Sequence, residues 1–405
     1  MTNAEQNTAT TSPLDAVIVG GARTPFTRLL GAQASLSATD LGAHAIKHAL
    51  QRSGVAAADV DTVIMGQVVQ AGQGQNPARQ SALAAGLDWT VPALSINKVC
   101  LSGLTAIIDA ARLIRLGDAT VVVAGGQESM TNAPHLLMEA RKGYKYGPTT
   151  VQDSVAHDGL TDSLTHEAMG ELTERGNGER GLDRAAQDEL AAASHQRAAA
   201  AQSEGIFEGE IAPVEIPQRK GDPVVVSADE GVRADTTAES LGALRPAFAQ
   251  DGTITAGNAS PLSDGAAAVV VTSRSYAEEH GLQIVATLGA PGQTAGPKDS
   301  QLHHQPSDAI SAALKKQGWQ AQDLDLIEIN EAFAAVSLQS LKDLDYSAEQ
   351  CNIHGGAIAL GHPIGASGTR IALHAALELQ RRGSGRAAVA LCGGGGQGEA
   401  LILFR

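Results

Sequence analysis

The sequence predicts an α/β protein made of two similar halves, with a largely parallel sheet and a loop domain inserted into the first half. Short apolar strands alternate with amphipathic helices over much of the 405 residues. Two segments of similar sequence lie about 265 positions apart, and residues 131–250 interrupt the alternation. The chain is therefore long enough for more than one core, and its two halves share one plan.

The first half opens with an apolar run over residues 15–22 that ends in glycines and predicts a buried strand. A helix is expected from Thr39-Asp40 to Gly54, because its apolar positions share one face. The remaining elements follow the same alternation: strands over 61–69, 94–99 and 119–124, and a helix over 102–116. Strands and helices of these lengths predict crossover units and hence parallel pairing.

Residues 131–250 contain mixed loops, one Ala-rich helix over about 183–203, and short strands near 211–216 and 224–226. We interpret them as a loop domain inserted into the first half, which spans 14–280. The second half spans 281–405.

The two halves align with each other. Ser102-Gly103 corresponds to Ser367-Gly368, 265 positions later, and Asp61 corresponds to Asp325, 264 positions later. Two offsets that agree within one residue favour an internal duplication, with a period far too long for a solenoid. Seams between such domains often contain ligand sites.

Composition excludes several classes of protein. The net charge of −15 argues against nucleic-acid binding, which needs a basic face. No apolar stretch approaches the roughly 18 residues that a membrane span needs. Residues 1–13 are polar and lack the features of a signal peptide, which predicts a disordered tail on a cytoplasmic protein. The three cysteines are far apart, which predicts free thiols and neither disulfides nor a structural metal site.

Cys100 lies between a predicted strand and a predicted helix. The unpaired amides at a helix start lower the pKa of a nearby thiol, so this position suits a nucleophile. The alternative is an inert core cysteine. His362, just before the matching helix of the second half, is a candidate base for this thiol, or simply a loop histidine.

Cys392 follows another predicted strand and opens the segment CGGGGQG. Its glycines allow backbone amides to approach a ligand and form an oxyanion hole, unless they form only a flexible turn. Asn330-Glu331 ends a further strand, at a sheet edge where α/β proteins usually bind ligands.

Four segments together resemble the thiolases, and among them those with acetyl-CoA acetyltransferase activity: NKVCLSGLTA (97–106), NEAFAA (330–335), GGAIALGHPIGASG (355–368) and CGGGGQG (392–398). The resemblance covers nearly the whole chain, and the four motifs occur in the family's order. It implies duplicated thiolase-like α/β domains with layered helices, mixed sheets and an inserted loop domain.

The resemblance also implies roles for individual residues. Cys100 would be the nucleophile that carries the acyl group, and His362 would help to deprotonate it and to hold the oxygen of the incoming thioester. Asn330 would position a water in that oxyanion hole. Cys392 would be the acid and base that removes a methyl proton. The amides of Cys100 and Gly394 would bind the oxyanion of the acyl-enzyme.

The coenzyme A contacts are implied in the same way. The residues at the positions where the family contacts coenzyme A are Leu160, Met169, Arg233, Ser240, Phe248, Ala256, Ser260 and Phe333. The chain departs from the family at two positions. It has Ala168 where many members have His, and His354 where Asn is frequent.

The expected activity is reversible condensation of two acetyl-CoA molecules to acetoacetyl-CoA and CoA, by a ping-pong mechanism. Coenzyme A is a substrate and product, no other cofactor is expected, and the resemblance implies a homotetramer.

The main alternative is a degradative 3-oxoacyl-CoA thiolase of broader chain length, because it would use the same catalytic residues. The loop 144–162 resembles the short-chain enzymes. A non-catalytic acyl-CoA binding or lipid-carrier protein is disfavoured because both Cys100 and Cys392 are present. Cys392 also disfavours a decarboxylating relative.

Overall fold

A computed structural model describes residues 12–297 and 299–405. Residues 1–11 of the predicted tail lie outside the described residues. Ser12 and Pro13 belong to the folded part, because the amides of Asp15 and Ser275 donate to their carbonyl oxygens at 2.9 and 3.1 Å.

The helices and strands alternate over most of the chain. The strands are β1 (Ala16–Arg23), β2 (Thr27–Arg28), β3 (Thr62–Gly66), β4 (Ala93–Ile96), β5 (Val121–Ser129), β6 (His135–Leu136), β7 (Gln152–Asp153), β8 (Val214–Ile216), β9 (Val224–Val226), β10 (Ser263–Ser273), β11 (Ala286–Ala295), β12 (Leu326–Ile329), β13 (Arg386–Gly393) and β14 (Gln397–Phe404). The α-helices are α1 (Ala38–Ser53), α2 (Pro77–Ala84), α3 (Ser102–Leu116), α4 (Met169–Arg180), α5 (Arg184–Ser203), α6 (Ala238–Gly242), α7 (Arg274–Glu279), α8 (Gln305–Gln317), α9 (Ala334–Leu344), α10 (Ala357–Leu360) and α11 (Ser367–Arg382).

The predicted helix α1 begins and ends at residues that cap it. The Ser37 hydroxyl accepts from the Asp40 amide at 3.1 Å, and the Asp40 carboxylate accepts from the Ser37 amide, which caps the start of α1. Gly54, with φ of 72°, ends that helix. The sequence did not reveal α4, because its glycines at 170, 176 and 178 weaken helix propensity and its apolar pattern is sparse.

The strands form a mixed sheet of ten, in the order β12-β13-β14-β11-β1-β10-β5-β3-β4, with β2 beside β10. Among the strands of the described residues, the parallel pairs are β3 with β4, β3 with β5, and β12 with β13. The largely parallel sheet expected from the alternation is therefore wrong, and the mixed sheet implied by the family resemblance is confirmed. The reason is that β10 and β14 enter the sheet antiparallel to the strands beside them, which strand–helix alternation cannot reveal.

Helices cover the sheet in layers. Helices α3 and α11 share the largest core, packed between strands of both halves. On the outer faces, α1 and α2 cover strands of the first half, while α8 and α9 cover those of the second. The two halves are thus joined through their central helices.

The internal duplication is visible in matching hydrogen bonds. The carboxylate of Asp61 accepts from the amides of Thr120 and Val121 at 2.7 and 2.9 Å, before β3 and β5. The carboxylate of Asp325 accepts from the Arg386 amide at 2.8 Å, before β12 and β13. Each aspartate thereby ties together the starts of two parallel strands, as the sequence alignment of the halves predicts.

Helices α3 and α11 approach each other closely at their N-termini. A Cβ added to Gly103 would lie 2.7 Å from the carbonyl oxygen of Gly365, and one added to Gly368 would lie 2.4 Å from the Leu104 nitrogen. Both contacts are shorter than real side chains permit, so the equivalent glycines allow the two helix starts to meet.

The inserted region lies outside the main sheet and contains the small hairpins β6–β7 and β8–β9 with α4, α5 and α6. A buried ion pair anchors it, because Arg23 of β1 bonds to Glu210 and Asp229 at 2.8 and 2.6 Å. The domain boundaries at 131 and 250 stay a prediction. Within the described residues, no helix has both the length and the apolar character to cross a membrane.

Candidate active site

A cavity of about 320 Å³ lies where the two halves and the inserted region meet. Cys100 of the first half lines it together with His362 and Cys392 of the second half. Leu160 and Met169 of the inserted region form another side of the same cavity. The two predicted thiols and the predicted imidazole therefore meet in one mostly apolar cavity, although they are far apart in the sequence.

Cys100 lies in the tight turn between β4 and α3. Val99, just before it, has a φ of 51°, a left-handed conformation that is unusual for a β-branched residue. The Ser102 hydroxyl supports this turn by donating to the Val99 carbonyl oxygen at 2.6 Å and accepting from the Lys98 amide at 2.8 Å. Backbone strain held by surrounding bonds is frequent at functional sites, and here it accompanies a thiol that faces the cavity.

Burial raises the pKa of the Cys100 thiol to about 11. The amides of Gly394 and of Cys100 itself oppose this by hydrogen bonding to the sulfur, while the carboxylate of Glu128 raises the pKa further. The local amides thus lower this pKa as predicted, but the net shift is upward, so the predicted preference for the thiolate is wrong for the free thiol. Burial outweighs the two amides, so a base must take the proton before the sulfur can attack.

His362 is buried just before α11. Its Nδ1 lies 2.6 Å from the Ser367 hydroxyl, and that hydroxyl donates to the Pro363 carbonyl oxygen at 2.9 Å. A hydroxyl has one hydrogen, so Ser367 accepts the Nδ1–H of His362 and leaves Nε2 as the basic nitrogen. Burial and the nearby Arg370 guanidinium lower the pKa of His362 to about 4. The imidazole is thus neutral at neutral pH, with Nε2 unprotonated.

Asn330 contacts His362 but does not line the cavity. It is fully buried after β12, and its Nδ2 is 3.4 Å from Nε2 of His362. Among the described residues, no group donates a hydrogen bond to its Oδ1. The Oδ1 atom of Asn330 can therefore accept a hydrogen bond beside His362, where the predicted role of Asn330 is to hold a water.

Cys392 lies near the end of β13 and is buried. Burial, and then the nearby Cys100, raise the pKa of its thiol well above the usual range. The two sulfurs are close enough that a thiolate on one disfavours a thiolate on the other. The predicted oxyanion donor Gly394 follows in the chain, and its amide reaches the Cys100 sulfur. A Cβ on Gly394 would lie 3.3 Å from Cγ1 of Val99, so a side chain there would crowd the turn that contains Cys100.

Five of the eight residues predicted to contact coenzyme A line the cavity: Leu160, Met169, Phe248, Ser260 and Phe333. The rings of Phe248 and Phe333 meet edge to face at 6.2 Å. The other three, Arg233, Ser240 and Ala256, do not line the cavity and are exposed on the surface. The Ser240 hydroxyl donates to the Thr237 carbonyl oxygen at 2.8 Å, within the cap of α6. The eight contacts stay a prediction.

Sequence reasoning missed the carboxylate of Glu128. This buried side chain accepts hydrogen bonds from the amides of Val68, Val69 and Gly365 at 3.0, 3.1 and 2.9 Å. It therefore ties a loop of the first half to the loop that follows His362. The available signal was an acidic residue at the end of the apolar strand VVVAGGQES.

Over residues 12–297 and 299–405, no three His, Cys, Asp or Glu side chains are grouped to hold a metal ion. The rings of His44 and His48 are 4.4 Å apart on α1, and Nε2 of His44 lies 3.3 Å from the Ala212 carbonyl oxygen.

The cavity, with two thiols beside an imidazole, suits an acyl-transferring enzyme, and comparisons with known proteins identify the class as acyltransferase and show the family. Residues 16–275 match the model of the thiolase N-terminal domain, and residues 282–405 match that of the thiolase C-terminal domain. The chain belongs to the thiolase family.

Similar proteins match over nearly their whole length. A probable acetyl-CoA acetyltransferase of Mycolicibacterium smegmatis is 59% identical over 96% of this chain and 100% of the relative. The acetyl-CoA acetyltransferase of Cupriavidus necator is 49% identical over 96% of this chain and 99% of its own. The crystal structure of the Bacillus anthracis acetyl-CoA acetyltransferase superimposes with a TM-score of 0.93 at 40% identity, covering 96% of this chain and 98% of that one.

Proposed function

We propose that this thiolase is an acetyl-CoA C-acetyltransferase, which condenses two acetyl-CoA molecules to acetoacetyl-CoA and CoA and catalyses thiolysis in reverse. One observation carries the proposal: the cavity brings Cys100 and Cys392 together beside the neutral imidazole of His362. The names of the relatives at 46–59% identity support the choice of acetyl-CoA as substrate.

The first half-reaction acetylates Cys100. Nε2 of His362 takes the thiol proton, and the sulfur attacks the thioester carbonyl of acetyl-CoA. The developing oxyanion accepts hydrogen bonds from the amides of Cys100 and Gly394, the two amides that approach the Cys100 sulfur. The bond to the coenzyme A sulfur then breaks, and the departing thiolate takes the proton of Cys392. The raised pKa of Cys392 supports this role, because it keeps the thiol protonated in the resting enzyme.

The second half-reaction forms the carbon–carbon bond. Cys392, now a thiolate, removes a methyl proton from a second acetyl-CoA. The resulting enolate is stabilised by protonated His362 and by a water on Asn330, and it attacks the acetyl group on Cys100. Breaking the acyl–sulfur bond returns a thiolate to Cys100, which recovers its proton from His362. Acylation of Cys100 removes the negative charge that would otherwise oppose a thiolate on Cys392, so the coupling between the sulfurs supports this order.

The apolar cavity suits the pantetheine arm of coenzyme A. Phe248, Phe333 and Met169 offer apolar contacts, while Ser260 supplies a hydroxyl for a pantetheine amide. Beyond coenzyme A as substrate and product, we propose no cofactor. The proposed enzyme is a cytoplasmic homotetramer of fatty acid metabolism.

A 3-oxoacyl-CoA thiolase of broader chain length is the second candidate. The short helix Val155–Leu160, within the loop 144–162, places Ala156, Gly159 and Leu160 on the cavity wall. Leu160 and Cys100 pack against the same apolar cluster, so this helix bounds the cavity near Cys100, which favours a short acyl group.

The test is kcat/KM for thiolysis of 3-oxoacyl-CoA substrates from C4 to C16, beside acetoacetyl-CoA formation from acetyl-CoA. The expected result is a maximum at C4 with measurable condensation. Equal or greater efficiency from C10 to C16 would favour the second candidate, and loss of both reactions would reject a thiolase activity.

A further inference from the structure

Glu399 is a fully buried carboxylate on β14 that takes no part in the chemistry described above. Lys98 donates to its Oε1 at 2.8 Å, and Gln293 donates to the same oxygen. The Thr105 hydroxyl donates to its Oε2. A buried carboxylate is costly unless its charge is paired and its oxygens are bonded, and these three donors meet that requirement.

Two of the donors lie on either side of the nucleophile. Lys98 precedes Cys100 by two residues, and Thr105 lies in the first turn of α3, five residues after it. The strained Val99 lies between Lys98 and Cys100. The Glu399 carboxylate is therefore bonded to residues on both sides of Cys100. We call this segment, residues 98–105, the Cys100 turn.

The backbone of Glu399 belongs to the other side of the cavity. In the antiparallel pair of β13 and β14, Glu399 lies opposite Leu391, and Gly398 lies opposite Cys392. The strand that carries Glu399 is thus paired with the strand that presents Cys392 and leads to Gly394. The side chain of Glu399 spans from this strand pair to the Cys100 turn of the first half.

This position bears on catalysis because the oxyanion donors come from both sides. The amide of Cys100 belongs to the Cys100 turn, while the amide of Gly394 lies just after β13. Their separation, and that of the two sulfurs, depends on how firmly the turn is held against the strand pair. An error of about 1 Å between reacting groups can cost a factor of about 100 in rate.

We propose that Glu399 and Lys98 form a positioning pair that holds the Cys100 turn against the strand pair bearing Cys392 and Gly394. The inference rests on the proposed function and adds two residues to it. Neither side chain lines the cavity, so their effect passes through Cys100, Cys392 and the two amides.

The test compares Glu399→Gln, Lys98→Met and the double variant in the full-length enzyme. The matched control is Glu378→Gln, which removes another carboxylate bonded to Arg381 and Arg382 at 2.8 and 2.7 Å on α11. We expect each single variant to lower kcat by about 10- to 100-fold, with the KM for acetyl-CoA changed less than about twofold. Acetylation of Cys100 and methyl proton exchange should both slow, and Glu378→Gln should keep wild-type kcat.

Two further comparisons separate positioning from folding. The double variant should be no slower than the slower single variant, because both changes break one contact. Lys98→Arg should recover most of the activity that Lys98→Met loses. If Glu399→Gln fails to fold, Lys98→Met carries the test, since Lys98 is partly exposed and Glu399 keeps its other two donors.

A lower melting temperature with wild-type kcat in Lys98→Met would overturn the proposal and leave a purely structural ion pair. Independent, multiplicative losses in the double variant would also overturn it. Failure of the wild-type enzyme to acetylate Cys100 would instead reject the proposed function.

Discussion

Nδ1 of His362 donates its hydrogen to the hydroxyl of Ser367 at 2.6 Å. Ser367 is the first residue of α11, and its hydroxyl donates a hydrogen bond to the Pro363 carbonyl oxygen. The start of a helix thus determines which imidazole nitrogen is free to act as a base. Ser367 thereby sets the tautomer of His362, the imidazole that we propose activates Cys100 of the first half.

Replacing Ser367 with alanine should slow acetylation of Cys100 about tenfold. The reason is that one neutral hydrogen bond, worth about 1–1.5 kcal/mol, no longer fixes the imidazole tautomer and orientation. Rapid-quench measurement of acetyl-enzyme formation gives this rate. Ser337→Ala is the matched control, because Ser337 is also a buried helical serine and its hydroxyl has no partner among the described residues. Equal rates for the two variants would show that Ser367 does not control His362.

Cys100 should be the only cysteine that carries an acetyl group. It lines the cavity, whereas Cys351 is buried outside it and serves as the internal control. Peptide mass spectrometry after brief incubation with acetyl-CoA should find the added acetyl on Cys100. Acetyl on Cys351 or Cys392, with Cys100 free, would contradict the assignment.

Cys392→Ala should accumulate acetyl-enzyme while acetoacetyl-CoA formation falls by at least roughly 10²–10⁴-fold, the usual range of a general base. Acetylation should also slow, since in the proposed mechanism Cys392 protonates the departing coenzyme A. His362→Ala should slow acetylation itself, because the Cys100 proton has no acceptor. Exchange of acetyl methyl protons with deuterium measures the base directly, and a wild-type exchange rate in Cys392→Ala would exclude Cys392 from that role.

His362 should make the folded protein sensitive to acid. Its pKa falls from the ordinary 6.5 to about 4 on folding, so the unfolded chain binds a proton between these values while the folded protein does not. The free energy of unfolding should therefore decrease as pH falls below about 6.5 and level off near 4. Linkage gives a loss on the order of 2 kcal/mol between pH 7 and 5 from this residue.

Urea titrations at several pH values measure this loss. The slope of stability against pH should flatten in His362→Gln, whereas the exposed His135→Gln should keep the wild-type slope. An unchanged slope in His362→Gln would show that His362 is not held neutral by the fold.

Motifs, capping residues and the internal repeat predicted several helices, the duplication and the candidate site residues. The alternation of apolar runs and capped helices predicted α1 and α3 closely, because Ser37, Gly54 and the apolar faces of those helices act locally. The repeat of Asp61 at Asp325 predicted the duplication, because the same residue type makes the same strand-start contact in each half. The four family motifs carried the candidate residues Cys100, Asn330, His362 and Cys392.

Strand direction and the acidity of Cys100 depended on tertiary structure. Alternating elements indicate which strands follow each other, but the antiparallel entry of β10 and β14 depends on long-range pairing. A helix start predicts a lowered thiol pKa, yet burial by residues distant in the sequence raises the pKa of Cys100.

The sequence by itself determined the kind of fold, its duplication and the residue types available for chemistry, because helix caps, apolar periodicity and motifs are local properties of the chain. Only the tertiary structure decided which of these residues share a cavity, which nitrogen of His362 is basic, and how Glu128 and Glu399 connect the two halves. Burial and contacts between distant segments control those properties, and neither is encoded within any short stretch of residues.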